Sequence, residues 1–406
     1  MRAYERFLQY VKVYTTSDEE SSTHPTTARQ LDLGRMLVAQ LKELGLTDAR
    51  LDEYGYVYAT LPATPGCEQA AGLGFIAHMD TAPGTSGENV NPQIHENYDG
   101  GDVLLPATGA VLKPADFPFL TEMKGQTLIT TDGSTLLGAD DKAGVAEIMT
   151  MAEQLMSHPE IEHGTIKIGF TPDEEIGRGA NYFDVEGFGA NFAYTVDGGE
   201  LGELEYENFN AGAAKVVIHG LSIHTGSAKD AMVNASLLAM EFHQMLPVEQ
   251  NPRYTTGYEG FFHLGHIEGE VELAEMDYII RDHDAEKYAQ KEQVMRDIAA
   301  YMNHKYGEGT VELTITESYR NMKEKIEPHM HLIENAKKAF RACGVEPKIV
   351  AVRGGTDGAR LSYMGLPCPN LSTGGHNFHG RFEYIPVESM DKMVETIINI
   401  AKIYAD

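Results

Sequence analysis

A chain of 406 residues with 42% hydrophobic content has room for about two or three domains with ordinary globular cores. Its formal charge of −29 works against binding to phosphate backbones and anionic lipid. No basic patch offsets it, so neither nucleic acid nor a membrane surface is expected as a partner. No run approaches the roughly 18 uninterrupted apolar residues of a membrane span, and the first residues, MRAYERFLQYVKVY, are broken by Glu5, Arg6 and Lys12; a cytoplasmic protein without a signal peptide is expected.

In chain order, Tyr4, Phe7, Leu8 and Val11 share one face of a first amphipathic helix. A second helix ends near Leu44 at Gly45, a strand spans 54–61, and the apolar run 73–77 leads into His78. Residues 143–156 form a helix whose N-terminus the paired Asp140 and Asp141 are placed to cap, and 164–170 and 192–196 read as buried strands. This alternation predicts an α/β domain with a mostly parallel central sheet flanked by helices.

From about Ala211 the pattern becomes strand 215–218, helix 230–246, strands 260–267 and 271–281, helix 284–306 and strand 310–318. That β-α-β-β-α-β order predicts an inserted ferredoxin-like α+β domain. A helix over 328–343 and later strands resume the first domain. The expected division is therefore a discontinuous domain, 1–209 with 321–406, and an insert, 210–320. Cys67, Cys343 and Cys368 lie far apart without CxxC spacing, which argues for a reducing compartment and against disulfides or a thiolate metal site.

The sequence has no HExxH, Walker A or GxGxxG motif, and Ser372 in NLSTGG lacks the preceding glycine of a nucleophile elbow. What stands out is a set of His and acidic residues at strand ends: His78 and Asp80 in GFIAHMDTA, Asp140 in LLGADDKAG, Glu174 and Glu175 in GFTPDEEIG, Asp197 in YTVDGGE, and His379 in GGHNFHGRFEYIP. Ligands bind beyond the carboxyl ends of strands in open α/β sheets, so residues this far apart can share one crevice. Singly, each is more simply a helix cap, a solvated loop acid or a structural histidine.

Together, HMDT, GADDKAG, DEEIG, VDGGELGELEYENFNA and GGHNFHGRFEY resemble, in order and at comparable spacing, the metal-site motifs of the tripeptide aminopeptidases of the M20 metallopeptidase family. The similarity runs through IHTGSAKDAMVNAS, FNAGAAKV and RGGTDGARLS, so it covers essentially the whole chain. It implies two Zn²⁺ ions per subunit, with Co or Mn as possible substitutes. By this resemblance His78 and Asp197 bind one ion and Glu175 and His379 the other, with Asp140 bridging them; His376 is the alternative to His379. Two zinc ions, three ligand carboxylates and a bridging hydroxide sum to a neutral cluster.

The resemblance also implies Glu174 as general base towards the bridging hydroxide, and Asp80 as the residue orienting the His78 imidazole, since a two-residue spacing on a strand returns it to the same side. His224 in the insert matches the family histidine that stabilises the oxyanion, often across a dimer interface. Arg281 and Arg353 are candidates for holding the substrate's C-terminal carboxylate. The expected activity is removal of the N-terminal residue from short peptides, tripeptides preferentially, with the insert acting as a lid and as the surface of a possible homodimer. The nearest alternative is a related amidohydrolase, an N-acyl amino acid deacylase or a di- or carboxypeptidase. A catalytically silent peptide-binding relative is the alternative outside enzymes.

Overall fold

Apolar runs flanked by glycine and acidic residues build the central sheet in a computed structural model that describes residues 1–405. Its eight strands lie in the order Arg50–Leu51, Val57–Leu61, Ile166–Thr171, Leu73–His78, Phe192–Val196, Asn370–Leu371, Glu203–Asn208, Lys348–Val352. The pairings among Ile166–Thr171, Leu73–His78, Phe192–Val196 and Asn370–Leu371 are parallel, and Val57–Leu61 joins antiparallel at one side. Every residue of Leu73–His78 is buried, as expected of a parallel strand covered on both faces.

The chain divides by internal packing into two compact units. One comprises Met1–Tyr206, Glu324–Val350 and the chain from Thr356 onward; the other comprises Glu207–Lys323 and Ala351–Gly355. In the second unit, Phe261–Gly269, Leu273–Asp282, Asn210–His219 and Val311–Tyr319 form an antiparallel sheet in that order. Along Asn210–His219, Ala214, Val216 and Ile218 point into a core completed by Phe242, Met276, Ile280 and Met295, while Lys215 and His219 face out. The helices Ala235–Met245 and Ala285–Tyr306 cover that core, each started by a side-chain cap: Asn234 accepts from the Leu237 N–H and Asp284 from the Lys287 N–H. Asparagines lace the unit's entry and exit strands together. The Asn208 N–H donates to the Asn321 side chain at 3.1 Å and the Asn321 N–H to the Asn210 side chain at 3.0 Å.

Two local expectations change for identifiable reasons. The strand expected over 54–61 begins only at Val57, because the Asp52 carboxylate accepts the N–H groups of Tyr54 and Tyr56 and bends the chain into a turn. Asp140 and Asp141 do not cap the helix that follows. The helix Ala139–Ser157 carries both in non-helical conformations joined by a cis peptide bond. Asp141 instead accepts the His78 N–H at 3.0 Å, and the amides of residues 137–140 go to Glu383. No helix among the described residues is long and apolar enough to cross a membrane, and all three cysteines are free thiols.

Candidate metal centre

Each strand of the parallel core delivers one part of a cluster within the first unit. Leu73–His78 ends on His78, with Asp80 two residues later; Ile166–Thr171 leads into Glu174 and Glu175; Phe192–Val196 leads into Asp197. Asp140 enters from the kinked first turn of the helix Ala139–Ser157 and His379 from the loop after Asn370–Leu371. The approach is close because the helix bearing Asp140 carries Gly144, where an added Cβ would lie 1.9 Å from the Val196 carbonyl and 2.5 Å from Asp141 Oδ1.

Asp140 lies at the middle. Its Oδ1 is 2.9 Å from His78 Nε2 and its Oδ2 is 3.0 Å from His379 Nε2, so each carboxylate oxygen faces one imidazole. On the His78 side, Asp197 Oδ1 is 3.6 Å and Glu174 Oε2 3.9 Å from the same nitrogen; on the other side, Glu175 Oε2 is 3.0 Å from His379 Nε2. His78 Nδ1 lies 3.1 Å from the Asp80 backbone carbonyl, nearer than the 3.4 Å to its carboxylate. The Asp80 carboxylate accepts the backbone N–H groups of Glu174 and Glu175, at 3.0 and 3.2 Å.

The electrostatics follow from burying several acids around two imidazoles. Burial alone would depress His78, but hydrogen bonds to Asp140 and Asp197 raise it well above the ordinary histidine value. Hydrogen bonds to Asp140 and Glu175 push His379 up to about 11. Burial would raise Asp140, yet the two imidazoles hold it below the usual carboxylate range. Burial and Asp197 raise Glu174 well above its normal value, and burial with Asp140 lifts Glu175 to about 7. The cluster thus draws positive charge.

These residues fit divalent cations. The donors are imidazole nitrogens and carboxylate oxygens, which suit Zn²⁺ and its first-row neighbours. His78, Asp140 and Glu175 converge with ligand atoms within 4.8 Å of one another, as do His78, Asp141 and Asp197. Glu175 Oε1 and Asp141 Oδ1 are buried without a hydrogen-bond partner, a state that costs about 1–3 kcal/mol for a neutral group and more for a charged one unless a cation or water meets it.

His376, the alternative to His379, stacks on Tyr384 with ring centroids 4.7 Å apart, and burial depresses it to about 4. The remaining candidates belong to the second unit. His224 is exposed and its Nδ1 accepts the Gly226 N–H at 3.2 Å. Arg281 donates through one nitrogen to the Gly212 and Ile280 carbonyls and lies over Tyr319. Arg353 donates to the Gly257 and Glu259 carbonyls and to Thr255 Oγ1, packed against Phe209 and Phe261.

Sequence reasoning passed over several buried acids beside the motifs. Asp173 accepts from the Thr26 N–H, Thr26 Oγ1 and Gln30 Nε2, and holds the turn before Glu174 in a left-handed conformation at φ 59°. Asp357 accepts from Thr171 Oγ1 at 2.7 Å. Their only signal in the chain was adjacency, in DEE and in TDG. Their function as acceptors appears once the partners, up to 186 residues away, are in contact.

A profile of the family described as Peptidase family M20/M25/M40 matches residues 130–403. The chain is 59% identical over 405 residues to peptidase T of Clostridium perfringens strain 13, covering 100% of this chain and 99% of that one. It is 57% identical over 403 residues to peptidase T of Alkaliphilus oremlandii, covering 99% and 98%. Its fold is similar to the crystal structure of aminopeptidase PepT from Bacillus cereus ATCC 10987, with a TM-score of 0.78 at 24% identity and coverage of 100% and 98%. It is also similar to a dinuclear metal-binding M20 peptidase of Bacillus subtilis, with a TM-score of 0.66 at 14% identity and coverage of 99% and 97%.

Proposed function

Because the chain belongs to peptidase family M20/M25/M40 and is a peptidase, we propose that it is a dizinc aminopeptidase removing the N-terminal residue from short peptides, preferentially tripeptides. One observation carries this reading: the Asp140 carboxylate turns one oxygen to each of two imidazoles, at 2.9 and 3.0 Å, as a bridging ligand must. His78 and Asp197 would hold one ion and His379 and Glu175 the other, with cobalt or manganese able to replace zinc at such donors. Two ions there would polarise the scissile carbonyl and lower the pKa of water towards about 7.

The protein's own groups do the rest. A hydrogen bond from His78 Nδ1 to the Asp80 carbonyl leaves Nε2 as the ring nitrogen that would meet an ion beside Asp140 and Asp197. Asp80 grips the amides of Glu174 and Glu175 and so aims both side chains from one anchor. Glu174 is the general base: its carboxylate, 3.9 Å from His78 Nε2, takes a proton from the attacking water and passes it to the leaving amine. His224 is assigned to the oxyanion, and Arg281 or Arg353 to the peptide's C-terminal carboxylate, a fixed reach that would select peptide length. The second unit would act as lid and as dimer surface, in a cytoplasmic enzyme.

The test is hydrolysis of tripeptides against dipeptides and N-acetylated tripeptides, with the metal-loaded protein beside Glu174→Gln. Tripeptide-selective turnover is expected, falling by about 10²–10⁴ in the variant at unchanged metal content. Cleavage of only the acylated compounds would transfer the protein to the deacylases.

A further inference from the structure

Glu383 is a buried carboxylate, 1% exposed, four residues beyond His379. Its Oε2 accepts the N–H groups of Leu137 and Gly138 at 2.7 and 2.9 Å, and its Oε1 those of Ala139 and Asp140 at 2.6 and 3.1 Å. Four amides fill the roughly four lone-pair sites of a carboxylate and fix the group's rotation.

The other end of this contact is the loop that presents His379. Reciprocal backbone hydrogen bonds between His376 and Tyr384, at 2.9 and 3.1 Å, close that loop, and within it Asn377 and His379 adopt left-handed backbone at φ 57° and 64°. Non-glycine residues in this region cost energy and persist only where the surroundings hold them. Glu383 therefore ties the segment delivering Asp140 to the loop delivering His379, two residues 239 positions apart whose side chains meet at 3.0 Å.

We propose that Glu383 is a positioning residue that fixes Asp140 against His379 and thereby sets the affinity of the His379–Glu175 ion position. The proposal rests on the dinuclear reading above. Glu383 reaches the ligands only through backbone amides. Its neutral isostere keeps the volume but has one accepting oxygen, and its NH₂ group would confront two amide donors.

The experiment strips the full-length protein with chelator and titrates Zn²⁺ against a chromophoric competitor, then repeats the titration with Co²⁺ to read the visible spectrum of each position. The wild type is expected to take two ions. Glu383→Gln is expected to weaken the His379–Glu175 position about 10- to 100-fold and the position that shares Asp140 less, with an altered Co²⁺ spectrum and turnover restored at high metal concentration. Glu383→Asp keeps the charge but falls one methylene short, and an intermediate loss is expected; it carries the test if the glutamine variant does not fold. Unchanged affinities for both ions, with only the metal-free Tm lowered, would reduce Glu383 to a loop cap and overturn the proposal. A wild type that takes no second ion would instead remove the dinuclear reading itself.

Discussion

Single buried charges show what this protein tolerates for its site and what it tolerates elsewhere. Glu147 is fully buried in the helix Ala139–Ser157, and neither of its carboxylate oxygens has a hydrogen-bond partner. Burial raises its pKa well above the normal glutamate value. The sign follows: between the unfolded value and the raised folded value the native state binds the extra proton, so this group makes stability fall as pH rises, by up to about 1.4 kcal/mol per pH unit. Glu147→Met should therefore raise Tm at pH 8 and change it little near pH 4.5. An equal shift at both values would mean that the carboxylate has a partner in solution. At Arg353, replacement by Ala should relax the preference among di-, tri- and tetrapeptides, and unchanged kcat/KM ratios would remove the arginine from substrate recognition. The same change also releases the Thr255, Gly257 and Glu259 contacts, so the ratios rather than the absolute rates are decisive.

Among the elements, the helix Ala139–Ser157 and the strand Phe192–Val196 depend on one glycine. A methyl group at Gly144 would meet the backbone carbonyl of Val196, which cannot swing away, and the Asp141 carboxylate, which is held by the His78 N–H. Gly144→Ala should cost more than the about 1–3 kcal/mol typical of overpacking, because the obstacle is backbone, and it should weaken ion binding by spreading Asp140 from Asp197. Isothermal titration with Zn²⁺ beside thermal unfolding checks both effects; a well-folded variant with native affinity would show that the two elements separate freely. Helix and strand identity were largely legible from periodicity, and the insert's β-α-β-β-α-β order could be read directly. The ends were less so, since Asp52 turns residues 52–56 away from the sheet through side-chain hydrogen bonds that leave no trace in hydrophobic pattern.

Over the whole molecule, a net charge of −29 and the acids gathered around His78 and His379 both favour bound cations. Ions at 100-fold excess over Kd would stabilise the native state by about 2.7 kcal/mol each. The ligand cluster and the core containing Val216, Met276 and Met295 belong to different compact units. Chelation should therefore lower the unfolding temperature of the first unit and leave that of the second nearly unchanged in calorimetry. A single transition insensitive to chelator would contradict a metal centre of this size.

The sequence by itself determined the fold class and put forward the short list of His, Asp and Glu residues at strand ends, because these are written in local periodicity and in motifs that sit within a few residues of one another. Only the tertiary structure decided which buried acids hold the others in place. Glu383 sits 243 residues or more from the amides it accepts, Asp173 lies 143 residues from Gln30, and the presumed cap at Asp141 turned instead to the His78 amide. The physical reason is that a carboxylate's role is set by the donors that burial brings to it, and many of those donors, as at Glu383 and Asp141, are backbone N–H groups that every residue except proline carries and no sequence pattern marks.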